Sequence, residues 1–553
     1  MRKISKTNHR RLIFLAAAAC TSWILFSTCT PDYSKETRDA IRRLTLEQKI
    51  GQMIMPGVAG KEMNPAASAM IGTYKPGGII LFGFNLSDKN GTRTFIRELQ
   101  RRSMDVGGLP LFISIDQEGG RVKRIRDGVT QFPGNMALGA GGDPELAYTI
   151  ARVLGMQLRM MGVNMNLAPV LDVNNNYHNP VINLRSFGSS KEIVSRLGAA
   201  YIRGIQDAKC IAVGKHFPGH GDTNKDSHVT LPVIPYDERR LEQLEWVPFR
   251  AAIASRVEGI MTAHIAYPSI LNNDDSATIS RYFLTDVLRT RMNYDGLIIS
   301  DDMEMHAIAK RMDLGTAAVK AVNAGADIVL ISSYEKNIPV IFNALKNAAI
   351  DGTLSTERID QSVRRILASK LRYSIMKVTE SSTILSEPDY SDSQLRLLET
   401  ADTVNATASK RAICYLGRDG ALFRRLGSGA IRSVVINASP VFRAHLTRSV
   451  PGCRFADSVD GIRDTTALAV YYTDRLQQSD IAQHSTKAAA RRIPFLVVFP
   501  GNPFELHALT SMPDLLISFS NTDESLRQLA VCIGGGFIPR YGSPIDLGIS
   551  VSP

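Results

Sequence analysis

Cysteine is scarce in this sequence, with six in 553 residues and none in a Cys-x-x-Cys pair. That scarcity argues against a disulfide-stapled scaffold, a zinc ribbon and an iron–sulfur protein. Glycine (42) and proline (25) are too few for a collagenous or disordered chain, and the balance of 44% hydrophobic to 21% charged residues is that of a soluble globular protein rather than a multi-pass membrane protein. Acidic residues are missing from the first 28 positions, where Arg2, Lys3, Lys6, Arg10 and Arg11 supply five of the twelve net positive charges. The remaining +7 is spread thinly over a long chain and gives no nucleic-acid signature. The length allows about three to five ordinary domains, or two if one is a large barrel.

The basic start is followed by an uncharged stretch from Leu12 to Thr28, and polar sequence begins at Pro31-Asp32. This is the layout of an export signal. Phe26-Ser27-Thr28-Cys29 resembles a loose lipobox, in which Cys29 is diacylated and becomes the first residue, although Phe replaces the usual Leu. Cys20, after Ala17-Ala18-Ala19, is a second candidate but is followed by an apolar run. A cleaved signal or an uncleaved anchor without lipid competes with lipidation, since 17 residues is at the lower limit for spanning a bilayer. Every version puts the body of the protein outside the cytoplasm, and the lipidated version makes it a membrane-anchored protein of the periplasm or cell surface.

From residue 50 onward short apolar runs alternate with amphipathic segments of helix length. The runs cover 50–58, 77–83, 111–116, 163–173, 211–217, 259–265, 296–302 and 326–332. Near-continuous Val/Ile/Leu runs suit parallel strands buried on both faces. The segment 279–292, with Phe283, Leu284, Val287 and Leu288 at helical spacing, predicts a helix between the sixth and seventh runs. Eight such units in about 300 residues suggest a (β/α)₈ barrel, although a two-domain doubly wound arrangement shows the same alternation. The stretch 376–408 loses the apolar runs and reads as a linker, partly helical. Runs at 412–417, 433–439, 467–473, 494–500 and 514–520 then predict five strands of a smaller α/β sandwich.

Polar residues cluster where the runs end. The third run ends in Asp116-Gln117-Glu118, the fourth at Asp172, the fifth in Lys215-His216, the sixth at His264 and the seventh in Asp301-Asp302. In a barrel all of these lie on the C-terminal face, where catalytic groups collect. The densest segment runs from Lys215 to Thr223 and on to Asp226-Ser227-His228. Its histidines and aspartates could ligate a metal, but Lys215 within the cluster opposes a cation, so no metal or other cofactor is expected. The other chemistry pairs Asp226 with His228 as an oriented imidazole, a proton donor and acceptor that works near neutral pH. Asp301 is the natural carboxylate nucleophile. Strand alternation would turn Asp302 the opposite way.

Together DQEGGRV (116–122), VNMNLAPVLDV (163–173), RSFG (185–188), KHFPGHGDT…DSH (215–228), MTAH (261–264) and SDDM (300–303) resemble glycoside hydrolase family 3, in its β-N-acetylglucosaminidase (NagZ-like) branch. FPGNPFEL (499–506) and FSNTDESL (519–526) are similar to the second domain of its two-domain members. The layout and the runs thus divide the chain into an export segment over 1–29, a (β/α)₈ barrel over 30–375, a linker over 376–408 and an α/β sandwich over 409–553. For the site, the family resemblance carries the roles. It implies Asp301 as nucleophile, His228 as general acid/base and Asp226 as its partner. Asp116, Arg124, Arg185, Lys215 and His216 would hold the N-acetylglucosamine ring, with His264 nearby and no role assigned to it. Asn183 stands where the family usually has a small residue. The implied partners are an N-acetylglucosamine-containing glycan and, through the anchor, a membrane. Phosphorolysis is the competing chemistry, because a neutral imidazole base repels an incoming phosphate less than a carboxylate would. A broad β-glucosidase/β-hexosaminidase would use the same barrel, and a sugar-binding lipoprotein without turnover is the non-enzyme reading.

Overall fold

The computed structural model describes residues 34–227, 229–333, 336–376, 390–417, 422, 433–464, 467–509 and 513–541. The expected export segment with Cys20 and Cys29, the candidate proton shuttle His228 and residues 377–389 of the expected linker lie outside the described residues. Among the described residues no helix is long and apolar enough to cross a membrane.

Each of the eight apolar runs contains a strand. They are β1 (Ile54–Pro56), β2 (Gly78–Leu81), β3 (Phe112–Ile115), β4 (Met165–Asn166), β5 (Ile211–Phe217), β6 (Gly259–Thr262), β7 (Leu297–Ile299) and β8 (Val329–Ile331). Every residue of these strands is buried, as strands covered on both faces require. β2 to β7 form one parallel sheet in chain order, and β1 pairs in parallel with β8. A parallel bridge from Ile299 to Ile328 joins β7 to β8, and the Gly77 N–H donates to the Ile54 carbonyl at 3.1 Å between β2 and β1. These contacts close the ring, and the fold is a (β/α)₈ barrel.

Side-chain caps start the surrounding helices. Asp143 accepts the N–H groups of Glu145 and Leu146 at the head of the helix Pro144–Met161, and Ser355 accepts that of Arg358 at the head of Thr356–Arg372. The helix expected over 279–292 forms over Tyr282–Arg291, and it buries Phe283, Leu284, Val287 and Leu288 as the spacing requires. Its hydrogen bonds run i→i+5, a rare geometry that side-chain spacing cannot distinguish from an α-helix over so few turns.

Among the described residues the second unit holds the five expected strands and two more. They are β9 (Cys414–Leu416), β10 (Ser433–Ile436), β11 (Arg454–Ala456), β12 (Leu468–Tyr472), β13 (Phe495–Phe499), β14 (Leu515–Ile517) and β15 (Arg540–Tyr541), in sheet order β11-β10-β12-β13-β14-β9-β15. β9 is antiparallel to β14, and β15 follows the direction of β9. Alternate strand residues serve two cores. Val435, Val470, Leu496 and Val498 pack with Phe442, Leu446 and Leu529 on one side, while Val434, Ala469, Val497 and Phe499 pack with Ile481 and Ala488 on the other. The second core also takes in Met136, Ala137 and Ala140 of the barrel helix Asn135–Gly141. Part of the 376–408 stretch is helical, over Asp392–Glu399 and at the start of Ala401–Arg411.

The N-terminal end of the barrel is built for stability. Asp327 is fully buried, and Arg289, Arg358 and Arg365 surround it. Lys370 is also fully buried, with its Nζ 2.6 Å from Gln52 Oε1 and 5.0 Å from the centre of the Phe112 ring. Burial pushes this lysine down to about 7, whereas an unfolded chain titrates it near 10.4. Between those values the unfolded state binds more protons, so the Lys370 contribution makes stability rise with pH over that window and stay level below it, by at most about 1.4 kcal/mol per pH unit. Lys370→Met should therefore flatten the pH dependence of the urea midpoint between about pH 7 and 10. An unchanged slope in the variant would show that the lysine is charged in the folded state.

Candidate active site

The C-terminal ends of the barrel strands open into a cleft of about 260 Å³. Asp116, Arg124, Arg185, Lys215, His216 and Asp301, all expected from the sequence, line it. They are joined by Glu118, His220, Ser227 and Asp302 and by an apolar lining that includes Phe82, Leu167, Met261 and Met305. Asp226 immediately precedes Ser227, and its carbonyl accepts the N–H groups of Val229 and Thr230. His264 is fully buried behind the cleft, where Nδ1 meets Thr278 Oγ1 at 2.8 Å and Nε2 meets the Asp302 carbonyl at 3.0 Å.

One side of the cleft is a lattice of opposite charges. Glu118 receives a two-pronged bond from Arg185, with Nη2 to Oε1 at 2.8 Å and Nε to Oε2 at 3.0 Å. Lys215 Nζ lies 2.8 Å from the same Oε1 and 2.7 Å from Asp116 Oδ1, while Arg124 Nη2 reaches Asp116 Oδ2 at 3.5 Å. Burial alone would raise the Glu118 carboxyl, but Arg185 and Lys215 outweigh it and hold the group far below the ordinary range. Burial likewise disfavours the Lys215 ammonium, and Asp116 and Glu118 reverse the effect and keep it charged. Glu118, two residues after Asp116, carries no role expected from the sequence. Its signal is the turn that follows, where Gly119 (φ +88°) and Gly120 (φ +56°) take left-handed conformations and fold the chain back so that the Gly120 N–H reaches the Phe132 carbonyl.

A second carboxylate organises the histidines. Asp172 Oδ2 lies 2.8 Å from His216 Nδ1, and Oδ1 accepts the backbone N–H groups of His216 at 3.2 Å and His220 at 2.7 Å. Burial opposes its ionisation, yet His216 and His220 hold it below the usual value. The ionised Asp172 therefore fixes Nδ1 of His216 as a donor and turns Nε2 toward Arg185 Nη2, 3.5 Å away. His220 bonds Thr223 Oγ1 through Nδ1 at 2.9 Å and Ser227 Oγ through Nε2 at 3.0 Å. Burial, helped by His216, pushes its imidazole down to about 4, so it stays neutral at pH 7. Lys215 and His216 are sequence neighbours, yet both face the cleft, because the pairing of β5 with β6 is irregular between Gly214 and Phe217. The loop that follows is pressed against β4's extension, and a Cβ on Gly221 would fall 1.8 Å from the Val173 carbonyl oxygen. Asn183 sits at φ +47° and donates through Nδ2 to the Asn179 carbonyl at 2.8 Å. Asparagine tolerates that left-handed conformation, which accounts for its presence in place of a smaller residue.

Opposite the charge lattice stand Asp301 and Asp302. Burial works against an Asp301 carboxylate, but His264, His216 and the Asp302 N–H, which donates to Oδ1 at 2.8 Å, lower its pKa. Asp302 is pushed up to about 6, mainly by burial and further by Glu304 and Asp301, although its Oδ1 accepts the N–H groups of Glu304 and Ser332. Both side chains line the same cleft, contrary to the expectation from strand alternation. The reason is that β7 ends at Ile299, so the pair lies beyond the strand, where the period of two no longer applies.

Glu118 generates a direct test. Glu118→Gln leaves Arg185 and Lys215 close together without their shared counter-charge, and breaking a buried pair of this kind typically costs about 3–5 kcal/mol. An unfolding free energy in urea within about 1 kcal/mol of wild type would show that the two cations find compensation elsewhere.

The profile of the glycosyl hydrolase family 3 N-terminal domain matches residues 45–369. A β-hexosaminidase A from Pseudoalteromonas piscicida is 35% identical over 354 residues, 59% of this chain, which spans only 58% of that relative's length. A β-hexosaminidase from Alkalilimnicola ehrlichii is 35% identical over 301 residues, covering 53% of this chain and 84% of the relative. The solved structure of a glycoside hydrolase family 3 β-N-acetylglucosaminidase from Paenibacillus sp. str. FPU-7 superposes with a TM-score of 0.77 at 35% identity, over 92% of this chain and 100% of that one. The barrel, the polar face at the C-terminal ends of its strands and the shared two-unit architecture thus have one source: this chain belongs to glycosyl hydrolase family 3, on its β-N-acetylglucosaminidase branch.

Proposed function

We propose that the protein is a retaining exo-β-N-acetylglucosaminidase, with Asp301 as nucleophile, His228 as general acid/base and Asp226 as the partner that orients it. The observation that carries the reading is the place of Asp301, which lines the cleft at the C-terminal ends of the strands together with Asp116, Glu118, Arg185 and Lys215, and whose carboxylate is favoured over the acid by His264, His216 and the Asp302 N–H. In the first step an Asp301 oxygen forms a bond to the anomeric carbon, the bond to the leaving oxygen breaks, and His228 gives that oxygen its proton. Water then attacks the same carbon, His228 takes the water's proton, and Asp301 departs as a carboxylate. Asp116, Glu118, Arg124, Arg185, Lys215 and His216 provide acceptors for sugar hydroxyls and donors for hydroxyl and acetamido oxygens. A cleft of about 260 Å³ suits one terminal sugar rather than a length of chain.

Location is part of the same reading: the mature chain is tethered through lipid on Cys29 and acts outside the cytoplasm on peptidoglycan fragments or chitooligosaccharides. Its support is the basic, acid-free start and the Phe26-Ser27-Thr28-Cys29 motif. Two or three acyl chains would anchor it stably where one would hold only marginally.

Asp301→Ala should lower turnover of 4-nitrophenyl N-acetyl-β-glucosaminide by several powers of ten, roughly 10³-fold or more, with the fold intact. A slow fluorinated N-acetylglucosaminide should label Asp301, and labelling of Asp302 instead would reverse the pair. His228→Ala should slow chitobiose far more than 2,4-dinitrophenyl N-acetyl-β-glucosaminide, because only the poor leaving group needs a proton. Equal slowing would make His228 a binding residue, and release of sugar 1-phosphate in phosphate buffer would replace hydrolysis by phosphorolysis. Cys29→Ser should abolish fatty-acid labelling of the mature chain; a wild-type protein that takes up no label refutes the anchor.

A further inference from the structure

We infer that the second unit positions the loop carrying the proton shuttle, through the stacked pair Tyr177 and His507. The inference rests on the functional reading above, which assigns the acid/base role to the segment Asp226-Ser227-His228. Tyr177 lies on the long connection that follows β4, and 44% of its surface is exposed. Its ring stacks on the His507 imidazole with centres 3.9 Å apart and planes 15° from parallel. His507 belongs to the short helix Pro503–Ala508, which follows β13.

Both ends of this contact are anchored. On the second-unit side Phe504 and Leu506 are buried in its core, and Glu505 Oε2 accepts the Leu476 N–H at 2.9 Å, so His507 is presented on a fixed turn. On the barrel side the residues flanking Tyr177 grip the loop after β5. Asn175 Nδ2 donates to Asp222 Oδ2 at 3.1 Å. Asn179 Nδ2 donates to the carbonyls of His220 and Gly221 at 2.8 and 2.9 Å, and Asn179 is itself oriented because its Oδ1 accepts the N–H groups of Val181 and Ile182. All of these grips fall on residues 220–222, four to six positions before Asp226.

The connection contains five asparagines between 174 and 183, residues that bond locally but bury little apolar surface. A segment so built opens easily unless its tip is held. The aromatic stack holds it, and the asparagines transmit that constraint to the backbone that leads into the shuttle. Tyr177 and His507 are thus positioning residues, since neither touches the reacting atoms. Small displacements of an acid matter because proton transfer demands heavy-atom distances of about 2.6–3.2 Å.

The test uses the full chain with Tyr177→Ala, His507→Ala and Tyr177→Phe. Both alanine variants should lose about tenfold in kcat/KM on chitobiose, a fraction of the 10²- to 10⁴-fold that general acid catalysis supplies, and stay within about twofold on the dinitrophenyl glycoside. Tyr177→Phe keeps the ring and should behave as wild type. Equal loss on both substrates, no loss on either, or a phenylalanine variant as impaired as the alanine one overturns the inference. The thermal midpoint of each variant identifies one that has merely unfolded, and the second alanine variant, on the other side of the contact, then decides. The His228→Ala comparison separates the two levels: if it lacks leaving-group dependence the functional reading fails and this inference falls with it, whereas a normal His228 signature with silent Tyr177 and His507 variants refutes only the positioning role.

Discussion

The cleft depends on one buried carboxylate. Asp172, at the end of the fourth apolar run, spends both oxygens on the fifth run and the loop after it: one on the His216 ring, the other on the backbone N–H groups of His216 and His220. Charge-assisted bonds of this kind are short and about twice as strong as neutral ones, and the burial of Asp172 strengthens them further. They set the tautomer of His216 and the path of the chain after β5. Asn179 Nδ2 then donates to the His220 carbonyl, and the His220 ring bonds the hydroxyls of Thr223 and Ser227, on a stretch whose direction Asp172 fixes.

Charge is distributed unevenly across the cleft. The Asp116–Glu118–Arg124–Arg185–Lys215 side sets three cations against two carboxylates, so it offers oriented donors and acceptors with one positive charge in excess. The other side keeps one ionised carboxylate, Asp301, whose negative charge is supported from behind by His264 and from across the cleft by His216 and Lys215. The excess positive charge of the lattice thus favours the ionised form of Asp301.

Much of the barrel is legible in the sequence because parallel barrel strands are covered on both faces and therefore appear as unbroken apolar runs; all eight runs contain strands. The residues at their polar ends converge for the same reason, since chain direction and strand order put those ends on one face. Three features escape such a reading. β11 and β15 have two or three residues each and carry Arg454 and Arg540, so they lack the apolar signature of the central strands. The orientation of Asp302 depends on where β7 stops, and strand ends are not encoded by periodicity. Glu118 and Asp172 are visible as polar residues, but a buried ion pair is a relation between distant segments, and the 67 residues separating Glu118 from Arg185 leave no local trace.

The barrel helix Asn135–Gly141 has a consequence for how the two units can be separated. Met136, Ala137 and Ala140 are fully buried, and the surface they are buried in belongs to the second unit's core. Seen from the barrel alone, those side chains form an apolar patch with nothing to cover it. A cut between the units therefore does not divide the molecule into two finished solids; it leaves one of them with an unfinished wall. The two units share a boundary that is interior to both, and the helix is as much the floor of the sandwich as it is part of the barrel's outer ring.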